Sequence, residues 1–220
     1  MIELEGLCKH YGKGGRRMTA VADASLHVGR GDFVSIMGHS GSGKTTLLSL
    51  MGGLTRPTAG TVRVDGIDLW GMDDRNLARL RNRHIGFVYQ FASLIPTLTA
   101  LENVVLPVVF GTPSPDARER ALGLLSALGM AERADAFPGQ LSGGEQRRVA
   151  IARSFINTPA VVLADEPTGD LDEETEGEVF ELFRRMNQQG AAFVLVTHSR
   201  ELAALGGVRL RMDHGRLLQA

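Results

Sequence analysis

The residues best suited to chemistry form one short segment, Gly38 to Thr45, which fits the pattern G-x-x-x-x-G-K-[ST]. An apolar run that ends at Met37 precedes the segment and a helical run from Thr46 follows it, which is the context that this pattern requires. Glycines let backbone N–H groups converge on phosphate oxygens, and the N-terminus of the helix adds positive charge. In such a loop the lysine, here Lys44, reaches the β- and γ-phosphates, and the next hydroxyl ligates Mg²⁺.

The segment therefore predicts a site for a nucleoside triphosphate with Mg²⁺. A glycine-rich turn that only caps a helix is the alternative, but it does not require agreement at all the motif positions and at both flanks. The residues expected to contact the nucleotide in this segment are Gly38, His39, Ser40, Gly41, Ser42, Gly43, Lys44, Thr45 and Thr46.

A polar pair, Asp165 and Glu166, directly follows the apolar run 161–164. The carboxyl ends of parallel strands lie at one edge of a sheet, and nucleotides bind at that edge. We expect Asp165 to hold Mg²⁺ there and Glu166 to polarise the water that attacks the terminal phosphate. The alternative is an acidic pair that only caps the next turn, before Pro167.

The segment Ser142-Gly143-Gly144-Glu145 has the spacing of a capping box, in which the serine and the glutamate satisfy each other's backbone N–H groups at the start of a helix. A well-capped helix is the simpler interpretation. Two consecutive glycines, however, leave bare amides at the positive end of a helix, which favours an anion. The segment predicts a second phosphate-binding point, so that a nucleotide lies between it and the loop at 38–45.

Short β-branched runs alternate with helical patterns along the chain, which predicts the α/β class with a mainly parallel core sheet. The apolar runs 161–164 and 193–196 are typical of parallel strands buried on both faces, and 32–37 also predicts a strand. Alternating polar and apolar residues predict half-exposed antiparallel strands at 2–5, 24–28, 61–64 and 208–212.

Strand signals are sparse between about residues 92 and 157, which predicts a helical subdomain there. Within it, Ser114 is expected to cap a helix that Gly129 ends. We therefore predict a single domain over 1–220, with residues 1–91 and 158–220 as its core.

Composition and charge exclude several classes of protein. The chain has 220 residues with a formal net charge of -1, which removes the basic excess that non-specific nucleic-acid binding needs, so no nucleic-acid partner is expected. A single cysteine, Cys8, excludes an internal disulfide. No apolar run reaches the ~18 residues of a membrane span, and the N-terminus lacks the pattern of an export signal, so a cytoplasmic location is expected.

Taken together, the motifs resemble those of the ATP-binding subunit of ABC transporters, over almost the whole chain. The segments that carry the resemblance, in this order, are Gly38 to Thr45, Gln90, Leu141 to Glu145, Ala164 to Asp172 and Thr197-His198. It implies a P-loop ATPase fold with a mainly parallel core sheet, an antiparallel β subdomain and a helical subdomain. It also implies ATP hydrolysis with Mg²⁺.

The resemblance assigns roles to further residues. Tyr11 matches the aromatic residue on which adenine stacks, and Asp172 matches the acid that couples two subunits. Gln90 matches the residue that senses Mg²⁺ and water, so the implied metal contacts are Thr45, Gln90 and Asp165. His198 matches the histidine that contacts the γ-phosphate, so the implied catalytic residues are Glu166, His198 and Gln90.

The resemblance also implies an assembly. Two copies face head to tail, so that Lys44 of one chain and residues 142–145 of the other enclose one ATP. The homodimer is expected to dock, through the region around 91–110, on an integral membrane permease at the cytoplasmic face of the inner membrane. The segments 86–91 and 94–104 resemble the lipoprotein-releasing, macrolide-efflux and cell-division group, whose permeases carry a large extracytoplasmic domain. Lipoprotein release is the leading expectation.

Three residues depart from the pattern of that group. His39 stands where proline is frequent, Arg147 where glutamine is usual, and Ser199 where aspartate is usual. None of the three removes a catalytic group.

Two other functions fit part of the pattern. An ABC ATPase that acts on DNA or on the ribosome is disfavoured by the near-neutral charge and by the short interval between Gln90 and Leu141. A small-molecule P-loop kinase is disfavoured by the second glycine-rich helix start at 143.

Overall fold

The computed structural model describes residues 1–12, 18–111, 113–169 and 171–219. Its strands, in chain order, are β1 Ile2–Tyr11, β2 Met18–Val28, β3 Phe33–Met37, β4 Ala59–Val64, β5 Ile67–Asp68, β6 Ile85–Val88, β7 Val161–Asp165, β8 Ala192–Val196, β9 Val208–Asp213 and β10 Arg216–Gln219. Its α-helices are α1 Lys44–Met51, α2 Asp74–His84, α3 Ala100–Val109, α4 Ala117–Ser126, α5 Gly143–Phe155, α6 Glu173–Gln188 and α7 Arg200–Ala204. Three short 3-10 helices cover Leu69–Gly71, Ala131–Arg133 and Pro138–Gln140.

The central sheet has six strands in the order β10-β9-β3-β8-β7-β6. Neighbouring strands from β9 to β6 run parallel, so the carboxyl ends of β3, β6, β7 and β8 lie at one edge. Residues 38–45 follow β3, Gln90 follows β6 and His198 follows β8, while Asp165 is the last residue of β7 and Glu166 comes directly after it. The sheet therefore brings together segments that are far apart in the sequence.

The prediction of an antiparallel strand at 208–212 is wrong in part. β9 pairs with β3 in parallel, with Val34 opposite Val208 and Met37 opposite Arg211, and it is antiparallel only to β10. Alternation of polar and apolar residues reports that one face is exposed, and it does not report strand direction. β9 is polar on one face because it lies near the margin of the sheet.

Both faces of the inner strands β7 and β8 are buried, which explains why their sequences are almost continuously apolar. Along β7, Val161 and Leu163 belong to one hydrophobic core, and Val162 and Ala164 belong to another. The first core joins the sheet to α1, α2 and a second sheet, which is antiparallel with the order β2-β1-β4-β5. The second core joins the opposite face to helices α3 to α6. The α/β fold class is as predicted.

The helical region continues the second core, because Val104 of α3 and Leu125 of α4 belong to the same cluster as Phe193 of the sheet. The predicted cap of α4 is wrong. The helix begins at Ala117 with Asp116 at its N-cap, while Ser114 accepts a hydrogen bond from Arg120 (2.9 Å). Gly129 lies after the helix with φ of +64°, a conformation that favours glycine. No described helix combines the length and apolar character that crossing a bilayer would need.

Phe183 of α6 provides a test of the second core. Its fully buried ring lies 5.2 Å from the ring of Phe193 and 6.0 Å from that of Phe155, measured between centroids. Phe183→Ala is expected to lower the free energy of unfolding by about 3–5 kcal/mol, because it removes the buried ring and leaves a cavity. Urea unfolding measures the change.

Phe110→Ala is the control, since its side chain is 74% exposed and its removal opens no cavity. Equal destabilisation by the two substitutions would contradict the placement of Phe183 in the core.

Candidate active site

A cleft of about 390 Å³ lies at the carboxyl edge of the central sheet. Residues from the loop after β3 and the start of α1 line it together with residues that follow β6, β7 and β8. Those that the sequence predicts are Ser40, Gly41, Gly43, Lys44, Thr45, Thr46, Gln90, Asp165, Glu166 and His198. Five lining residues were not predicted from the sequence: Met18, Thr19, Ala20, His214 and Gly215.

The loop after β3 needs glycine at defined positions. Gly43, the N-cap of α1, has φ of +107°, and a Cβ there would collide with the carbonyl oxygen of Ala20. A Cβ on Gly38 would collide with the carbonyl oxygen of Met212. The loop therefore lies directly against the backbones of β2 and β9, and only residues without side chains allow that approach.

Lys44 points back across this loop. Its Nζ donates hydrogen bonds to the carbonyl oxygens of Gly38 (2.7 Å) and His39 (3.0 Å). The ammonium group is mostly buried and lies among backbone groups at the N-terminus of α1. It thereby adds a full positive charge to the partial charge of the helix end, which suits phosphate.

Oxygen donors converge beside Lys44. The hydroxyl of Thr45 donates a hydrogen bond of 2.5 Å to Oδ2 of Asp165, although the two residues are 120 positions apart. Gln90 lines the same cleft. A hydroxyl, a carboxylate and an amide oxygen form a donor set that suits Mg²⁺, a hard cation that prefers oxygen.

Glu166 and His198 contact each other at the ends of β7 and β8. Nε2 of His198 lies 3.1 Å from Oε1 of Glu166, and the backbone N–H of His198 donates to Oε2 of Glu166 (3.1 Å). The backbone N–H of Glu166 in turn donates to the carbonyl oxygen of Val196 (2.8 Å). The carboxylate is thereby fixed at the cleft wall, one residue beyond Asp165.

Arg147 connects two parts of the site and is one of the three departures in the sequence. The side chain is only 8% exposed. Its guanidinium donates to the carbonyl oxygens of Gln90 (2.5 Å) and Glu166 (2.7 Å). It therefore fixes the backbone that carries the expected metal-sensing amide relative to the backbone that carries the expected base.

The segment at residues 142–145 forms the predicted capping box. Ser142 Oγ accepts from the N–H of Glu145 (3.1 Å), and Glu145 Oε2 accepts from the N–H of Ser142 (2.7 Å). The Ser142 backbone hydrogen bond lowers the pKa of the Glu145 carboxyl, as does Arg133, whose Nε lies 3.2 Å from Oε1. Ser142 and Gly143 are exposed and are not among the residues that line the cleft. Within one chain, the two predicted phosphate-binding points therefore do not form one pocket.

Tyr11 and Asp172 also lie outside the residues that line the cleft. Tyr11 ends β1 and is exposed, with Nζ of Lys9 5.0 Å from the centre of its ring. Asp172 is the N-cap of α6. Its carboxylate accepts a hydrogen bond from the backbone N–H of Thr175 (2.9 Å), and this bond lowers the pKa of the Asp172 carboxyl. Gly38, His39 and Ser42 belong to the loop but are not among the residues that line the cleft.

The unpredicted lining residues come from the start of β2 and from the turn between β9 and β10. Gly215 holds the turn against the nucleotide loop and against β2. Its N–H donates to the carbonyl oxygen of Ser42 (3.0 Å), and its carbonyl accepts from the N–H of Ala22 (2.8 Å). The His214-Gly215 pair between two alternating runs is a turn signal. Nothing in that signal indicates which loop the turn contacts.

The chain matches the family described as ABC transporter over residues 21–169. It is 49% identical to the lipoprotein-releasing system ATP-binding protein LolD of Bordetella pertussis over 98% of this chain and 94% of that protein. It is 46% identical to an uncharacterised ABC transporter ATP-binding protein of Thermotoga maritima over 99% of this chain and 93% of that protein.

Solved structures agree with this likeness. The ATP-binding cassette MJ0796, in a dimeric post-hydrolysis state bound to ADP and phosphate, superposes with a TM-score of 0.94 at 41% identity, covering 99% of this chain and 96% of that one. A second dimeric structure of MJ0796, a bacterial ABC transporter cassette, gives the same TM-score at 42% identity.

The chain belongs to the ABC transporter family. Its fold is that of the ATP-binding cassettes, as the sequence predicts, and it is an ATP-binding ATPase subunit.

The contacts of Arg147 generate a test. Arg147→Met keeps much of the apolar length but removes the donors to the carbonyls of Gln90 and Glu166. Turnover of ATP is expected to fall about 10- to 100-fold, because small displacements of catalytic groups are costly. The dissociation constant of nucleotide, measured by fluorescence titration, should change less than turnover.

Arg184→Met is the matched control, because that arginine is exposed on α6 and pairs only with Glu181, at 2.8 Å, among the described residues. Parental turnover in the Arg147 variant would show that this connection is not needed.

Proposed function

We propose that two copies of this chain bind and hydrolyse Mg-ATP between them and thereby drive a separate membrane subunit that releases lipoproteins. One observation carries the proposal: Lys44, Thr45, Asp165, Glu166 and His198 converge at one sheet edge, while Ser142 and Gly143 present a second phosphate-binding helix end on another surface. A second copy is needed to bring these two surfaces together around one nucleotide.

The head-to-tail dimer follows from the exposure of the helix end. Gly143 and Gly144 are the first two residues of α5, and a Cβ on Gly143 would meet no atom within 4 Å. The N–H groups there are open to a ligand from outside the chain, and the helix dipole favours an anion. The dimeric structures of the similar cassette MJ0796 support this assembly.

Mg²⁺ fits the donor set of the cleft. Thr45 and Asp165, joined by a 2.5 Å hydrogen bond, and Gln90 supply oxygen atoms only. These three residues would hold the ion. When bound, it neutralises charge on the β- and γ-phosphates of the substrate.

Hydrolysis assigns a task to each remaining residue. Glu166 accepts the proton of the water that attacks the γ-phosphorus, so that the bond to the β-phosphate oxygen breaks and ADP leaves. His198, held 3.1 Å from Glu166, lies where its ring can contact the phosphoryl group. Lys44 offsets the negative charge of the phosphates, and Tyr11 offers its exposed ring to adenine. Asp172, at the N-cap of α6, contacts the second copy.

A substitution of Glu166 tests the hydrolysis step. Glu166→Gln removes the proton acceptor and preserves the side-chain volume, so turnover is expected to fall at least 100-fold, within the range of general-base effects of about 10²–10⁴. ATP binding should persist, and gel filtration in Mg-ATP should show a trapped dimer. Phosphate release measures turnover.

Lys44→Ala is the matched variant, because it should lose nucleotide affinity and therefore form no ATP-dependent dimer. Undiminished phosphate release by the Glu166 variant would remove that residue from the role of base.

A groove of about 440 Å³ supports docking of a membrane partner. It lies between α2, β6, α3 and the end of α5, and its lining includes Arg81, Tyr89, Pro107 and Arg153. Burial raises the pKa of the Tyr89 phenol and lowers that of the Arg153 guanidinium, which nevertheless remains charged.

Large exposed apolar side chains are close in sequence to residues that line this groove. Phe91 is 75% exposed, and Val109 and Phe110 at the end of α3 are also exposed. Exposed aromatic residues next to a groove with two arginines fit a helical cytoplasmic segment that carries apolar and acidic residues. The region expected from the sequence, around 91–110, includes these three apolar side chains and Pro107, whereas Arg81, Tyr89 and Arg153 of the groove lie outside it.

Phe110→Ser tests the docking surface. The substitution removes an exposed aromatic anchor, so the amount of membrane subunit that co-purifies from detergent extracts is expected to fall about tenfold or more. The thermal unfolding midpoint should stay at the parental value, since Phe110 is outside both cores.

Leu218→Ser on β10 is the control for a remote exposed apolar residue. Unchanged recovery of the membrane subunit with the Phe110 variant would contradict docking at this surface. A co-purified permease without a large extracytoplasmic domain would contradict the lipoprotein-release group, while leaving the ATPase assignment intact.

A further inference from the structure

Three potential metal ligands meet beside the nucleotide loop, and the hydrolysis mechanism does not use their side chains. They are His39 in the loop after β3 and the pair Asp213 and His214 at the turn after β9. One ligand atom from each residue lies within 4.8 Å of the other two. Within the described residues, this is the one such group of three histidine, cysteine or carboxylate side chains.

The sheet brings these residues together. β3 and β9 are parallel neighbours with Met37 opposite Arg211, so His39 and Asp213 each lie two residues beyond one register pair. The hydrogen bond from the N–H of Gly215 to the carbonyl of Ser42 (3.0 Å) then ties the turn to the loop. The convergence therefore depends on the backbone framework and not only on exposed side chains.

The separations suit a small cation. Nε2 of His39 lies 3.3 Å from Oδ1 of Asp213, and Nε2 of His214 lies 3.8 Å from the same oxygen. Ligands of a tetrahedral zinc ion, at about 2.0–2.1 Å from the metal, are about 3.3 Å from one another. The side chain of His214 is 86% exposed, so packing leaves it room to rotate toward the other two ligands.

The two ring nitrogens of His39 face different partners, Nδ1 the backbone of Ser40 and Nε2 the Asp213 carboxylate. Nδ1 of His39 lies 2.9 Å from the carbonyl oxygen of Ser40, and a carbonyl can only accept, so Nδ1 carries the proton. In the neutral ring Nε2 then presents a lone pair toward the Asp213 carboxylate. Two acceptors at 3.3 Å repel each other unless a proton or a metal ion lies between them. A histidine that donates its other N–H to a backbone carbonyl is the usual arrangement in metal sites.

We propose that His39, Asp213 and His214 bind a zinc ion, with water as the fourth ligand. Two imidazoles and one carboxylate suit Zn²⁺ and related first-row ions, whereas Mg²⁺ prefers oxygen donors and would be held by Thr45, Gln90 and Asp165. The bound ion links the nucleotide loop to the turn between β9 and β10, and His214 and Gly215 of that turn line the cleft. This metal site is independent of the proposed membrane partner.

Direct titration of the full chain tests the site. The protein is used without a histidine tag and without nucleotide, and Zn²⁺ is added in a calorimeter at pH 7.5. One ion per chain is expected to bind, and Co²⁺ in its place should give the visible absorption of a tetrahedral site. Binding should weaken below about pH 6, because protonated imidazoles cannot ligate.

Two conservative variants identify the ligands. Asp213→Asn keeps the shape of the side chain, and His214→Asn suits the backbone at this position, where φ is +45°. Each is expected to weaken Zn²⁺ binding at least tenfold. His27→Asn is the control, since His27 faces Glu3 at 4.0 Å and the described residues supply no third ligand there, and it should bind as the parent does.

Thermal unfolding without metal shows whether each variant is folded. The proposal is overturned if the parent binds no Zn²⁺, or if the Asp213 and His214 variants, folded as the parent, bind it with parental affinity. In either case a proton shared by His39 and Asp213 accounts for their contact.

Discussion

The site depends on the parallel alignment of β3 with β8 and of β8 with β7. This alignment sets the lysine-bearing loop, the Asp165-Glu166 pair and His198 at one sheet edge, although Thr45 of the loop is 120 residues from Asp165 in the sequence. Both sheet faces are buried under separate hydrophobic cores, so the strands have little freedom to shift in register. The rigidity of the proposed catalytic groups thus originates in apolar packing on both sides of the sheet.

Positive charge and bare amides are distributed over two surfaces of the chain. Lys44 and the N-terminus of α1 face the cleft, while the N-terminus of α5 faces solvent beside two glycines. A triphosphate carries more charge than either helix end offsets alone, so the proposed dimer brings both ends to the same ligand. Such an arrangement makes nucleotide binding and subunit association parts of one equilibrium.

Arg147 illustrates how a departure from a family pattern can be structural. An arginine in place of glutamine reaches two backbone carbonyls, one after β6 and one after β7, and therefore connects the helical region to the cleft wall. His39 is a second departure, and it faces Asp213 instead of the cleft. Arg147 and His39 thus make contacts beside the proposed catalytic groups without replacing any of them.

The sequence by itself determined the features that are written in neighbouring residues. The glycine-rich loop, the capping box at Ser142 and Glu145, and the buried strand before Asp165 all depend on positions within a few residues of one another. Resemblance to a family then supplied the expected roles of Tyr11, Gln90, Asp172 and His198. The predicted start of α4 was two residues too early, because Ser114 accepts a hydrogen bond from Arg120 instead of capping the helix.

Only the tertiary structure decided which distant segments meet. The direction of β9, the contacts of Arg147 with Gln90 and Glu166, and the approach of His39 to Asp213 depend on strand order and register. Periodicity records which face of a strand or helix is buried, and it carries no information about the partner on that face. The same holds for the cleft lining that comes from β2 and from the turn after β9. Tertiary packing places these elements at the cleft, and no pattern among neighbouring residues indicates it.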